Sequence, residues 1–189
     1  MEVNNISFKG TIINKNITPT KIGAAWKKAE TTLVKLNPRN TEDMATIRET
    51  EDLWKGTNMS GAISEQAEIC KDPVFVLTTQ KEDFYKVNAQ NILGMFTTNP
   101  LRKETNSSEI YRIGATPQSG NAQTKHIFSS MLKSFVEFID KKQKNISEVK
   151  LTADPDQIET VAKTKLPKVT DTYNDFLLTK ENFKNFINE

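Results

Sequence analysis

Residues able to do covalent or metal chemistry are scarce in this chain. Its 189 residues include one cysteine, Cys70, and one histidine, His126. A Ser-His-acid or Cys-His mechanism would have to be built on His126, because such a nucleophile needs a neighbouring base to activate it. No G-x-S-x-G elbow accompanies that histidine, and Cys70 does not stand at the start of a helical pattern, where a thiolate would be favoured. Cys70 falls on the apolar face of a short helical pattern and reads as a small core residue. His126 lies near the start of a long helical pattern, where the helix dipole disfavours the protonated ring, so it reads as an exposed or satisfied side chain. Metal sites built from several Cys and His ligands are excluded, as is an internal disulfide. The phosphate-binding patterns G-x-x-x-x-G-K-S/T and G-x-G-x-x-G are both missing.

Charge narrows the partners. With 26 Lys plus Arg against 24 Asp plus Glu, the formal charge of +2 provides no reservoir of positive potential for a nucleic-acid backbone. Nucleic acid is not an expected partner. No run of about eighteen apolar residues exists to span a membrane. Met1-Glu2-Val3-Asn4-Asn5 lacks the basic and apolar segments of a secretory signal, so the cytoplasm is the expected compartment. Without that signal, the N-x-S/T sequons at Asn5, Asn16, Asn58, Asn106 and Asn145 are expected by chance in an Asn- and Thr-rich chain. Length and composition describe one globular domain.

Hydrophobic periodicity supplies the elements. Ile6 to Ile13 alternates as a strand within Asn5–Asn14, with a turn expected at Pro19. Residues 20–36 fit either a helix, through Ile22, Trp26, Ala29 and Leu33, or a strand, through Thr31 to Leu36. Asn40 or Thr41 caps a helix with acids in its first turn, running through Ile47 and Trp54, and a second helix spans Ser60 to Lys71. Residues 73–79, 91–98 and 109–116 are β-branched and aromatic runs with short connections, which predicts an antiparallel meander. The longest helix runs from about Ala122 to Lys142, with Ile127, Phe128, Met131, Leu132 and Phe135 on one face. A strand over 146–153 follows, and a helical crossover sets it parallel to the strand before the helix. A helix from Asp156 to Pro167, a short strand at Phe176–Leu178 and a last helix at Phe183–Ile187 close the chain. The expected fold is α/β, with a mixed, mostly antiparallel sheet flanked by helices and a central βαβ unit.

This order resembles the GNAT superfamily of N-acetyltransferases over about Thr31 to Leu178. Leu36 to Asp43 with the helix to Trp54 is similar to the family's first strand, polar turn and acidic-capped helix. Ile113-Gly114-Ala115-Thr116-Pro117 resembles the fourth strand, whose end splays from the fifth and leaves backbone groups to bond the pantetheine arm of acetyl-CoA. The eleven-residue spacing from Pro117 to Phe128 is also typical. Leu151 to Gln157 is similar to the fifth strand and its following turn, with Gln157 at the position of a frequent Asn.

The resemblance implies acetyl-CoA as cofactor, no metal, and a coenzyme site made by Ile113, Ala115, Gly120, Asn121, Ala122, Gln123, Thr124, Lys125 and Gln157. The family's Q/R-x-x-G-x-G/A loop is replaced by Gly120 to Lys125, with Gln123 and Lys125 on its two glycine positions, where a Cβ hinders close backbone approach to a pyrophosphate. Lys125 adds compensating positive charge. The family's frequent tyrosine acid aligns with Lys163, and Tyr173 is the substitute on offer. An amine acceptor is protonated at neutral pH and needs a base, for which Glu109 and Glu148, the acids inside the central strands, are the candidates. Tyr111 reads as a packing residue with a wet hydroxyl.

These residues lead to two expected functions. One is acetyl transfer from acetyl-CoA to a small-molecule or protein amine; the other is a non-catalytic GNAT-fold module that has lost CoA binding and engages a protein partner. Either is expected as a monomer or homodimer, with residues 1–30 an N-terminal extension and residues 31–189 the GNAT-like domain.

Overall fold

The computed structural model describes residues 10–22, 27–55, 62–83, 86–117, 119 and 121–188. In chain order these form β1 (Thr11–Ile22), β2 (Lys27–Leu36), α1 (Thr41–Leu53), α2 (Ala62–Cys70), β3 (Val74–Thr78), β4 (Ile92–Thr98), β5 (Ser107–Ala115), α3 (Asn121–Lys142), β6 (Glu148–Thr152), α4 (Ile158–Ala162), β7 (Asp175–Thr179) and α5 (Phe183–Asn188). The strands lie side by side in sequence order. Each neighbouring pair is antiparallel except β5 and β6, which are parallel because α3 carries the chain back between them.

Alternation along the strands sorts side chains to two faces. Leu33, Phe75, Leu77, Phe96, Ile110, Ile113, Val149, Leu151 and Phe176 pack with α3, α4 and α5. Val34, Leu36, Val74, Val76 and Met95 face Met44, Ile47 and Trp54 of α1 with Ile63 and Ala67 of α2. On the first face Phe75 stacks on Phe96 at 5.0 Å, and Phe135 of α3 meets both rings edge-on at 4.9 and 5.1 Å. Each such fully buried side chain contributes roughly 1.5–3 kcal/mol. Gly94 sets how closely α3 approaches: a Cβ there would lie 2.6 Å from Ile127 Cγ2 and 2.8 Å from Met131 Sδ. On the second face, Asn40 caps α1 by accepting from Glu42 N and Asp43 N. Buried Glu51 ties α1 to α2, its Oε1 accepting from Ile63 N at 2.8 Å and Ser64 N at 2.9 Å.

Most expected elements form within one or two residues of their predicted ends, with three differences. The described parts of the ambiguous stretch 20–36 are strand: β1 runs to Ile22 and β2 spans Lys27–Leu36. Pro19 lies inside β1 instead of closing a turn, at the margin of the sheet where a missing N–H is tolerated. The helix expected to reach Pro167 stops at Ala162, and Lys165 adopts φ 68°, ending any helical path. Lys168 then bridges Phe176, covering the free side of β7. Residues 5–9 of the first expected strand and Trp26 lie outside the described residues.

Candidate functional site

The parallel pair β5–β6 is in register only from Ser107↔Glu148 to Ile110↔Leu151, after which the strands part. Beyond that point β5 still pairs with β4, through Arg112↔Thr97 to Ala115↔Gly94. Thr116 N donates to Leu93 O at 2.8 Å, so by the antiparallel alternation Gly114 and Arg112 also turn their backbone groups to β4. Ile113 and Ala115 therefore turn theirs into the gap. Two side chains cross it: Gln157 Nε2 donates to Ile113 O at 2.8 Å, and Arg112 Nη1 meets Asp154 Oδ1 at 3.1 Å.

The N-terminus of α3 follows five residues after Thr116. Its entry is held by Ser119, whose hydroxyl donates to Thr116 O at 2.6 Å and lies 3.0 Å from Thr124 Oγ1. Asn121 and Ala122 belong to the first turn of α3, and Gln123, Thr124, Lys125 and His126 are half-buried along it. Gly120 lies outside the described residues.

Where β5 and β6 part, the sheet face left uncovered by α1 and α2 holds a cleft of about 740 Å³. Glu109, Tyr111 and Arg112 of β5, Lys150 and Thr152 of β6, and Asp175 and Leu177 of β7 line it, with Gln66 of α2 at its side. A β-bulge shapes the β5 wall: Thr97↔Arg112 is followed by Thr98↔Ile110, leaving Tyr111 as the extra residue. Burial holds the Tyr111 hydroxyl above its usual range, helped by the charge of Glu109 and by Asp72 and Cys70 at the end of α2. Tyr111 is thus a protonated donor throughout the neutral range. Thr152 Oγ1 donates to Asp175 Oδ1 at 2.7 Å, fixing the far wall.

The structure brings Ile113, Ala115 and Gln157 to the splayed edge, with Glu109 just before it where β5 and β6 are still paired, and sets the first turn of α3 beyond it. It does not bring the other two candidates into the cleft. Glu148 stands two residues before Lys150 on β6, meets it at 3.4 Å and lies outside the cleft lining. Tyr173 is 73% exposed, with the Lys168 ammonium 5.8 Å from its ring centroid. Lys163, at the family's tyrosine position, is ion-paired with Glu159. Cys70 is exposed, not part of the core as expected: it follows Ile63 and Ala67 at helical spacing but is the last residue of α2, beyond the buried part of the helix. Tyr111, Arg112, Lys150 and Asp175 were not expected in a site. The Glu109-x-Tyr111 spacing, which puts both side chains on one face of a strand, was the available signal.

Among the described residues, no three His, Cys, Asp or Glu side chains converge to hold a metal ion. No described helix is long and apolar enough to cross a membrane.

No family model matches the sequence, and no curated protein matches it significantly. Similarity is found among solved structures. A mutant of the toxin AtaT bound to the C-terminus of the antitoxin AtaR and acetyl-CoA superposes with a TM-score of 0.54 at 12% identity, over 84% of this chain and 99% of that one. A bacterial toxin gives 0.56 at 12% identity, over 84% and 96%. A chimera of the spermidine N-acetyltransferase SpeG from Vibrio cholerae and hSSAT gives 0.51 at 15% identity, over 82% and 98%. The protein has the fold of the GNAT acetyltransferases, with a seven-stranded, mostly antiparallel sheet flanked by helices.

Proposed function

We propose that the protein transfers an acetyl group from acetyl-CoA to an amine bound in the cleft, with Glu109 as the base. The observation that carries this reading is the end of β5–β6 pairing at Ile110↔Leu151, which opens the gap beside Glu109 and Tyr111. The acceptor ammonium loses two protons as its nitrogen bonds the acetyl carbon: one passes through the Glu109 carboxylate to solvent, the other ends on the departing thiol. Tyr111, two residues along β5, lines the same cleft as a protonated donor.

The residues present fit the coenzyme's arm. The N–H and C=O of Ala115 point into the gap, as amide partners of a pantetheine must, and α3 presents its N-terminal amides and Lys125 to the pyrophosphate end. Acetyl-CoA supplies the activated acyl group; the chain supplies binding, orientation and the base.

A second reading, a GNAT-fold module that no longer takes CoA and binds a protein partner, is favoured by two observations. Gln123 and Lys125 carry side chains where the family's loop has glycine, and Gln157 occupies the Ile113 carbonyl. Calorimetric titration with acetyl-CoA separates the two. Micromolar binding with a raised melting temperature, weakened in Lys125→Glu, supports transfer. No binding at millimolar coenzyme would overturn it in favour of the module.

A further inference from the structure

The acceptor's chemical class is written on the floor of the cleft, given the acetyl-transfer reading above. Glu109 and Lys150 are register partners on the parallel strands β5 and β6, and both line the cleft. Their backbones run about 4.8 Å apart, so a carboxylate and an ammonium stand side by side. They do not neutralise each other. Among the described residues the ion pair of Lys150 is with Glu148, a 3.4 Å contact between side chains 46% and 38% exposed, and not with Glu109. Such a pair is worth little and is readily exchanged for a ligand. The cleft's other cation, Arg112, is tied to Asp154 at 3.1 Å.

We propose that the acceptor is a zwitterion, an amino acid whose amine is read by Glu109 and whose neighbouring carboxylate is read by Lys150. The apolar wall agrees with a hydrophobic side chain. Leu177 is the β7 register partner of Lys150, and Val169 stands beside it in the lining. A polyamine fits poorly, because a second ammonium lying across the floor from Glu109 would meet Lys150. Lys150 is here a specificity-determining residue. It takes no part in the bond changes, in which the acceptor nitrogen gains the acetyl group, the thioester C–S bond breaks and the thiol leaves protonated.

The test measures thiol release from acetyl-CoA with valine, leucine, methionine and phenylalanine, each against the amine that lacks only its carboxylate: isobutylamine, isoamylamine, 3-methylthiopropylamine and phenethylamine. The expected result is that at least one amino acid exceeds its matched amine in kcat/KM by about tenfold or more, the worth of one charge-assisted hydrogen bond. Lys150→Gln is expected to collapse that ratio towards one, and Lys150→Glu to invert it. Calorimetry with acetyl-CoA on the same variants shows that they remain folded. The inference is overturned if the decarboxylated amines are equal or better acceptors, if Lys150→Gln leaves the ratio unchanged, or if acetyl-CoA binds but none of the eight compounds is acetylated. Absence of acetyl-CoA binding instead brings down the transfer reading itself.

Discussion

The side-chain amide of Gln157 bonds the carbonyl of Ile113 at 2.8 Å, joining the turn before α4 to the free edge of β5 across the gap left by β6. The bond is buried, so Gln157→Ala should destabilise the fold by about 1–3 kcal/mol through the unsatisfied Ile113 carbonyl. Urea unfolding measures this. A change within error would mean that water replaces the amide and that the gap is wetter than its burial suggests.

Glu109→Gln should lower kcat by roughly 10²- to 10⁴-fold with the coenzyme dissociation constant unchanged, the range for removing a general base. Tyr111→Phe should have a smaller effect in the same direction, because it removes a hydroxyl donor from the cleft that Glu109 lines. Full activity in Glu109→Gln would show that another group takes the proton.

Gly94→Ala puts a methyl group 2.6 Å from Ile127 Cγ2. Overpacking of this kind costs about 1–3 kcal/mol, and relieving it requires α3 to shift or both Ile127 and Met131 to move. A fall in melting temperature is expected; an unchanged one would show that Ile127, Met131 and α3 give way at no cost.

Burial pushes the Asp43 carboxyl up to about 6, against the opposing 2.7 Å bond from Asn37 N and with Glu42 adding its own repulsion. The native state then holds this proton at pH values where the unfolded chain, with the ordinary carboxyl value of 3.8, has released it. This group's contribution is full below about pH 4 and is lost as the pH rises through about 6, by roughly 2–3 kcal/mol. Asp43→Asn should flatten that part of the stability profile. Denaturant midpoints at pH 4 and 6.5 in both proteins test the sign.

The sheet was legible in the sequence because β3, β4, β5 and β6 carry dense apolar runs bounded by Pro, Asn and charged turns, and because the face of α3 from Ile127 to Ile139 has an unbroken helical period. β1 and β2 were harder to read. Residues 20–36 satisfy both periods, and pairing across the β1–β2 hairpin, a tertiary choice, decided for strand. Periodicity did give the positions of Glu109 and Glu148, but it could not separate them, because whether a strand residue faces a cleft depends on what covers that face. α1 and α2 cover β2 to β4 and stop short of β5, so Glu109 lines the opening. Cys70 was misread for a related reason: its helix has a buried side only two residues wide.

The divergence of β5 from β6 is a cavity made by geometry and not by deletion. The ladder is made by backbone groups, so no single substitution to a larger side chain restores the missing pairing. The opening is a property of the chain's course, set by where α3 releases the backbone into β6. Sequence drift on its walls can change what the cleft accepts while leaving the opening itself in place.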